Sequence, residues 1–167
     1  MKHLFFLFTC MSILFVAGCI SVKRPADLPA THQTILTFTQ DGVPLEGASV
    51  TLIAQETANA KWSLGGATDS KGILKVQTQG FDGAPVGTYK ITVSKIETEG
   101  TPVTAESSDS SAVSTSTGGD TKQYHLIDKK YRALGSTDLT LEVTAGKNAK
   151  SYELGPAVHE LIPVTKN

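Results

Sequence analysis

The side chains able to do covalent or metal chemistry are few in this chain, and they are widely spaced. They are Cys10 and Cys19, the histidines His3, His32, His125 and His159, and a large set of serines. A zinc peptidase needs a close His/Glu pair with a second histidine nearby, as in His-Glu-x-x-His on a helix. The only adjacent pair, His159-Glu160, is followed by Leu161-Ile162-Pro163 and has no second histidine. Isolated ligand types at such distances read as solvated surface residues. No Gly-x-Ser-x-Gly occurs, and Ser107 to Ser116 is low-complexity sequence, whereas a serine nucleophile needs a rigid base beside it. No Asp-x-Asp-x-Asp-Gly spacing marks a calcium loop. The expectation is a protein without catalytic residues, metal or cofactor.

Cys19 is different, because of what precedes it. Lys2 is the only formally charged residue among the first eighteen, and Leu4 to Val16 is apolar apart from Thr9, Cys10 and Ser12. The stretch closes on Val16-Ala17-Gly18-Cys19. A basic start, a short apolar core and small residues before a cut site describe an export signal over residues 1–18. The apolar run falls short of the roughly 20 residues that cross a bilayer comfortably. Val16-Ala17-Gly18-Cys19 resembles the lipobox of bacterial lipoproteins, and that resemblance implies cleavage before Cys19 and a lipid in thioether linkage to its sulfur.

Cleavage there leaves 149 residues, one domain by length. Loss of Lys2 leaves 14 basic against 16 acidic side chains, a formal charge of −2. Such a chain, with no basic cluster, has no electrostatic case for nucleic acid. Cys10 leaves with the leader and Cys19 would carry the lipid, so the exported chain has no thiol for a disulfide or a Cys-ligated zinc. Stability must come from an apolar core.

The elements that would build that core show a period of two. Leu36 and Phe38 alternate with threonines; so do Val50 and Leu52, Tyr89, Ile91 and Val93, and Leu139, Leu141 and Val143 with their polar neighbours. Each set gives a strand one buried and one wet face. Asp41-Gly42, Gly65-Gly66, Asp69-Ser70-Lys71-Gly72 and Gly146-Lys147-Asn148 supply the turns. No segment holds apolar spacing of three and four, so no helix is expected. The chain is predicted to be all-β, an antiparallel sandwich of about seven strands over 34–163. Residues 19–33, with Pro25 and Pro29, read as a flexible tether. Residues 97–121, rich in Ser, Thr and acids and lacking Lys and Arg until Lys122, read as a mobile loop.

Two resemblances add to this reading. The first is the lipobox likeness, which further implies a diacylglycerol on the Cys19 sulfur, palmitate-type acylation and a membrane partner. Ile20 is not the Asp that holds well-studied lipoproteins at the inner membrane, so the outer membrane or cell surface is favoured. Three ordered stretches, Gly42 to Leu52, Gly66 to Val76 and Gly83 to Val93, resemble the carboxypeptidase regulatory-like domain, a transthyretin-like (prealbumin-like) sandwich. In that family these residues build the scaffold, and no peptidase activity is implied. Transthyretin-like hydrolases of the purine pathway end in Tyr-Arg-Gly-Ser. Here the nearest match is Tyr131-Arg132-Ala133-Leu134, far from Asn167, which speaks against that activity.

Two aromatic residues carry the rival binding readings. Trp62, the only tryptophan, is read as a core residue; an exposed Trp62 with Tyr131 would form a sugar-stacking platform. The expected role is a non-catalytic, lipid-anchored cell-envelope module that binds an envelope protein or a polysaccharide. A carbohydrate-binding module is the alternative. A hydrolase would require two histidines and an arginine converging in one pocket.

Overall fold

The computed structural model describes residues 23–100 and 121–163. Strands make up 48% of it and helix 3%, so the chain is all-β. In chain order the strands are β1 (Thr31–His32), β2 (Thr34–Gln40), β3 (Val43–Pro44), β4 (Ser49–Ala54), β5 (Leu64–Ala67), β6 (Ile73–Lys75), β7 (Gln77–Thr78) and β8 (Phe81–Asp82). They continue as β9 (Ala84–Pro85), β10 (Gly87–Ser94), β11 (Ile96–Glu99), β12 (Lys122–His125), β13 (Thr140–Val143), β14 (Asn148–Glu153) and β15 (Glu160–Leu161).

Two sheets form the sandwich. One has the order β13-β10-β4-β5-β7-β8; the other is β14-β2-β3, with β6 also bonded to β2. The period of two in the sequence is the period of burial. Leu36, Phe38, Val50, Leu52, Tyr89, Ile91, Val93, Leu141 and Val143 are all at most 3% exposed, while Ser49, Thr51, Thr140 and Glu142 face water. Phe38 and Tyr152 stack across β2 and β14 with ring centroids 5.3 Å apart. The hydroxyl of Tyr89, buried with its ring, donates to the Pro85 carbonyl at 2.8 Å.

The run Ile73–Thr78 belongs to both layers. Its first half pairs with β2 and its second half with β5. Val76 is the crossing point: its N–H donates to Thr34 of one layer, and its carbonyl accepts from Gly83. The Asp41-Gly42 turn forms the two-residue link between β2 and β3, with φ of 53° and 73°. Pro44 ends β3, a short strand at the edge of its sheet, where its missing N–H costs nothing.

Four expectations are corrected. The pairing is not antiparallel throughout, because β14 runs parallel to β2 from Asn148↔Thr34 to Glu153↔Thr39. The turn after β13 is not a hairpin within one sheet. It crosses to the other layer and enters beside the start of β2, which fixes the parallel direction. That crossing is pinned by the Gly146 N–H, which donates to His32 Nδ1 at 3.0 Å. Second, the part of the tether that is described packs on the domain. Leu28 is buried, and Thr31–His32 pairs with Ala84–Pro85. One apolar residue and a two-residue strand leave no periodic signal. Third, Glu97–Glu99 lie on β11, paired with β12, so the loop reading fails at that boundary. All four residues of β11 are exposed, so no apolar face announced the strand. Residues 101–120 lie outside the described residues. Fourth, Lys129–Arg132 form one helical turn, α1, capped by the Asp128 carboxylate accepting from the Lys130 N–H at 2.8 Å.

Val50, Leu74, Ile91 and Leu141 come from different strands and converge on one core. Truncating any one of them to Ala should cost about 2–4 kcal/mol, with Val50 at the low end, through lost burial and the cavity left behind. Thr51→Ala and Thr140→Ala should cost about 0.5 kcal/mol or less. Urea melts of the lipid-free domain measure the contrast, and equal tolerance of the two sets would disprove this register.

The tyrosines give a second test. Burial pushes the phenols of Tyr89 and Tyr152 up to about 12, with the Glu56 charge adding to the effect on Tyr89. A raised phenol pKa favours the neutral, folded form. The stabilisation is therefore complete below the unfolded value near 10 and is lost as pH rises through the folded value. Tyrosinate absorbance should show two of the four tyrosines titrating late, with stability declining between pH 10 and 12. Four ionisations together near pH 10 in the folded protein would contradict it.

Candidate functional site

Two polar residues of the second family-like stretch, Thr68 and Asp69, have internal partners. Thr68 Oγ1 donates to the Leu45 carbonyl and accepts from the Ala48 N–H, tying the β3–β4 connection to the strand before the turn. The Asp69 carboxylate accepts from the N–H groups of Ile73 and Lys71, which hold it below the usual carboxylate range. Gly72 lets the backbones close: a Cβ there would lie 2.3 Å from the Phe38 carbonyl. These groups hold the sandwich together.

A further group of polar and aromatic side chains lies on a third sheet, β11-β12-β15, outside the sandwich layers. It is attached to the sandwich at one end. The Gln40 side chain, at the end of β2, donates to the Leu126 carbonyl at 3.0 Å, and Ile127 is fully buried in the core. Directly opposed residues of an antiparallel pair share a face. Ile96, His125 and Glu160 therefore share one face, and Glu97, Tyr124 and Leu161 the other.

On the first face Arg132 of α1 pairs with Glu160. The Arg132 side chain is 17% exposed, against 54% for Glu160, so the guanidinium is largely shielded while its partner faces water. Arg132 Nε and His125 Nδ1 are both buried there without a hydrogen-bond partner. On the second face the rings of Tyr124 and His159 stack with centroids 3.9 Å apart, and His159 Nε2 lies 3.8 Å from a Glu99 carboxylate oxygen. Ile96 and Leu161 are 52% and 53% exposed, large apolar side chains turned to solvent on opposite faces.

This small sheet brings together His125, His159 and Arg132, which the sequence had scattered. It does not converge them, because the two histidines stand on opposite faces. Among the described residues, no group of three His, Cys, Asp or Glu is placed to hold a metal ion. Cys19 lies outside the described residues. Trp62 follows the loop after β4 and is half-buried against the core; Lys61 Nζ lies 4.7 Å from its ring centre. Tyr131, on α1, also packs on the core from its half-buried position, with Lys130 Nζ 5.1 Å from its ring. A shallow groove of about 350 Å³ runs over the outer face of β4, β5 and β7, lined by Ser49, Thr51, Ser63, Gln77 and Gln79. Trp62 and Tyr131 do not line it. Its glycine floor has a backbone cause: a Cβ on Gly65 would sit 2.1 Å from the Val50 carbonyl.

Sequence reasoning missed the third sheet. Its signal was the polar alternation of Glu97-Thr98-Glu99 and of Lys122-Gln123-Tyr124, which carries no apolar face. Comparison of the chain with protein-family models, curated proteins and solved structures found no match.

Arg132→Gln tests how β15 is held. A partly exposed ion pair contributes little to global stability, about 1 kcal/mol or less. Its loss should instead show locally, as faster amide exchange at Ile162, which bonds the Gln123 carbonyl, with Ile91 unchanged. Equal acceleration at both amides would mean that Arg132 supports the whole core.

Proposed function

We propose that this chain is a lipid-anchored cell-envelope protein that works by binding, not by catalysis. Its sandwich is of the transthyretin-like, carboxypeptidase regulatory-like kind that the three sequence stretches resemble. The observation that carries the reading is the third sheet. It lies outside the sandwich, it exposes Ile96 and Leu161 on opposite faces, and among the described residues β15, which carries Leu161, is paired on one side only. An unpaired strand edge carrying an exposed apolar side chain suits the addition of a partner's strand. The charged and aromatic groups beside it, Arg132 with Glu160 and Tyr124 with His159, supply polar selectivity around that contact.

A polysaccharide ligand is the second reading, favoured by the hydroxyl and amide lining of the groove over β4, β5 and β7. It predicts that Thr51→Trp, which fills the groove, abolishes glycan retention and leaves partner crosslinks at the third sheet intact.

Two experiments test the main proposal. Cys19→Ala should leave the precursor uncut at Gly18 and remove the lipid-modified N-terminus from the membrane fraction, as read by mass spectrometry. An unmodified mature terminus at another residue would refute the anchor. A photo-crosslinking residue at 161 should capture an envelope protein in intact cells, while the same residue at 51 should not. Silence at 161 would count against the third sheet as a docking surface.

A further inference from the structure

The two ends of the sandwich differ, and the difference orients the molecule. At one end lie the start of β10, where Gly87 faces Val143, and the end of β4, where Ala54 faces Tyr89. The loop 55–63, the segment 79–86 and the turn 144–147 therefore cluster there. So does the first described segment: Arg24 Nη2 donates to the Pro29 carbonyl at 2.6 Å, its guanidinium lies 5.6 Å from the Phe81 ring centre, and Asp27 pairs with Lys61. At the other end β10 finishes opposite Ser49, β2 finishes at Gln40, and the third sheet begins.

We infer that the end formed by residues 23–32, 55–63, 79–86 and 144–147 rests on phospholipid headgroups, with the third sheet facing away. This rests on the reading that Cys19 carries the lipid. Three residues separate Cys19 from Lys23, four Cα–Cα steps, so their Cα atoms lie at most about 14 Å apart. Lys23 and its successors are held on the domain by Leu28, by the Asp27–Lys61 pair and by the β1–β9 pairing, so they cannot act as a long leash. The anchor thus keeps this end at the bilayer surface. β2 alone carries the far end about 20 Å further off.

The chemistry of the near end fits a headgroup layer. Lys23, Arg24, Lys61 and Lys147 are exposed there, against Asp27, Glu56 and Asp82. Arg24 and Lys61 each place a cation beside an aromatic ring, Phe81 and Trp62, so that phosphate can be met by the charge and the acyl boundary by the ring. Val86 is 51% exposed at the same end.

The test uses the full lipoprotein in phosphatidylcholine/phosphatidylglycerol vesicles containing a headgroup-nitroxide lipid. With Cys19 acylated, a Val86→Cys or Leu161→Cys variant has one free thiol, labelled with bimane. Quenching should be several-fold stronger at 86 than at 161, and native Trp62 fluorescence should be quenched without any substitution. Flotation and mass spectrometry of the same samples report the anchor. A lipidated, floating protein quenched equally at both sites, or more at 161, overturns this orientation and leaves the anchor standing. A protein that neither floats nor carries lipid overturns both.

Discussion

Strand β2 holds the second layer of the sandwich together, because every other strand of that layer bonds to it. β14 lies on one side, and β3 and β6 share the other. Its buried residues, Leu36 and Phe38, fill the space between the layers, and Phe38 stacks on Tyr152 from its parallel neighbour. Its last residue, Gln40, holds the third sheet through the Leu126 carbonyl. A defect in β2 would therefore reach the core, the layer and the proposed binding surface at once. The six-stranded layer is less centralised, since β10 and β4 share its long pairings.

The parts of this fold that could be read in the sequence are those in which side-chain alternation and backbone pairing agree. Val50-Thr51-Leu52 and Tyr89-Lys90-Ile91 announce both their strands and their inner faces, because a half-buried strand must alternate. Asp41-Gly42 announces its turn because both positions need positive φ. What could not be read falls into two kinds. Fully wet strands such as Ile96–Glu99 have no inner face and hence no pattern. Strand direction and sheet membership are set by where a connection leads. Nothing in Gly146-Lys147-Asn148 says that it crosses between layers, and nothing in Ile73–Thr78 says that it changes partner at Val76. The candidate site suffered most. His125, Arg132 and Glu160 become neighbours only through pairings of residues far apart in the chain.

Glycine has two uses here. At Gly42 it permits a turn in open space, whereas at Gly65 it permits two strands to approach, and the sequence signal is the same for both. The paired glycines 65 and 66 read as a break between strands, yet they lie within β5. A side chain at Gly65 would push β4 and β5 apart, so the pairing selects the residue.

The parallel join between β2 and β14 sets the order of events during synthesis. A chain delivered N-terminus first exposes Thr34–Gln40 early, and the neighbour that completes this strand on one side arrives only with Asn148–Glu153. Until then one flank of β2 lies bare and the second layer cannot close. Non-local pairing of this kind is slow to form. The consequence is that a chain truncated before Asn148 would leave one flank of β2 without its strand, however completely the six-stranded layer had formed.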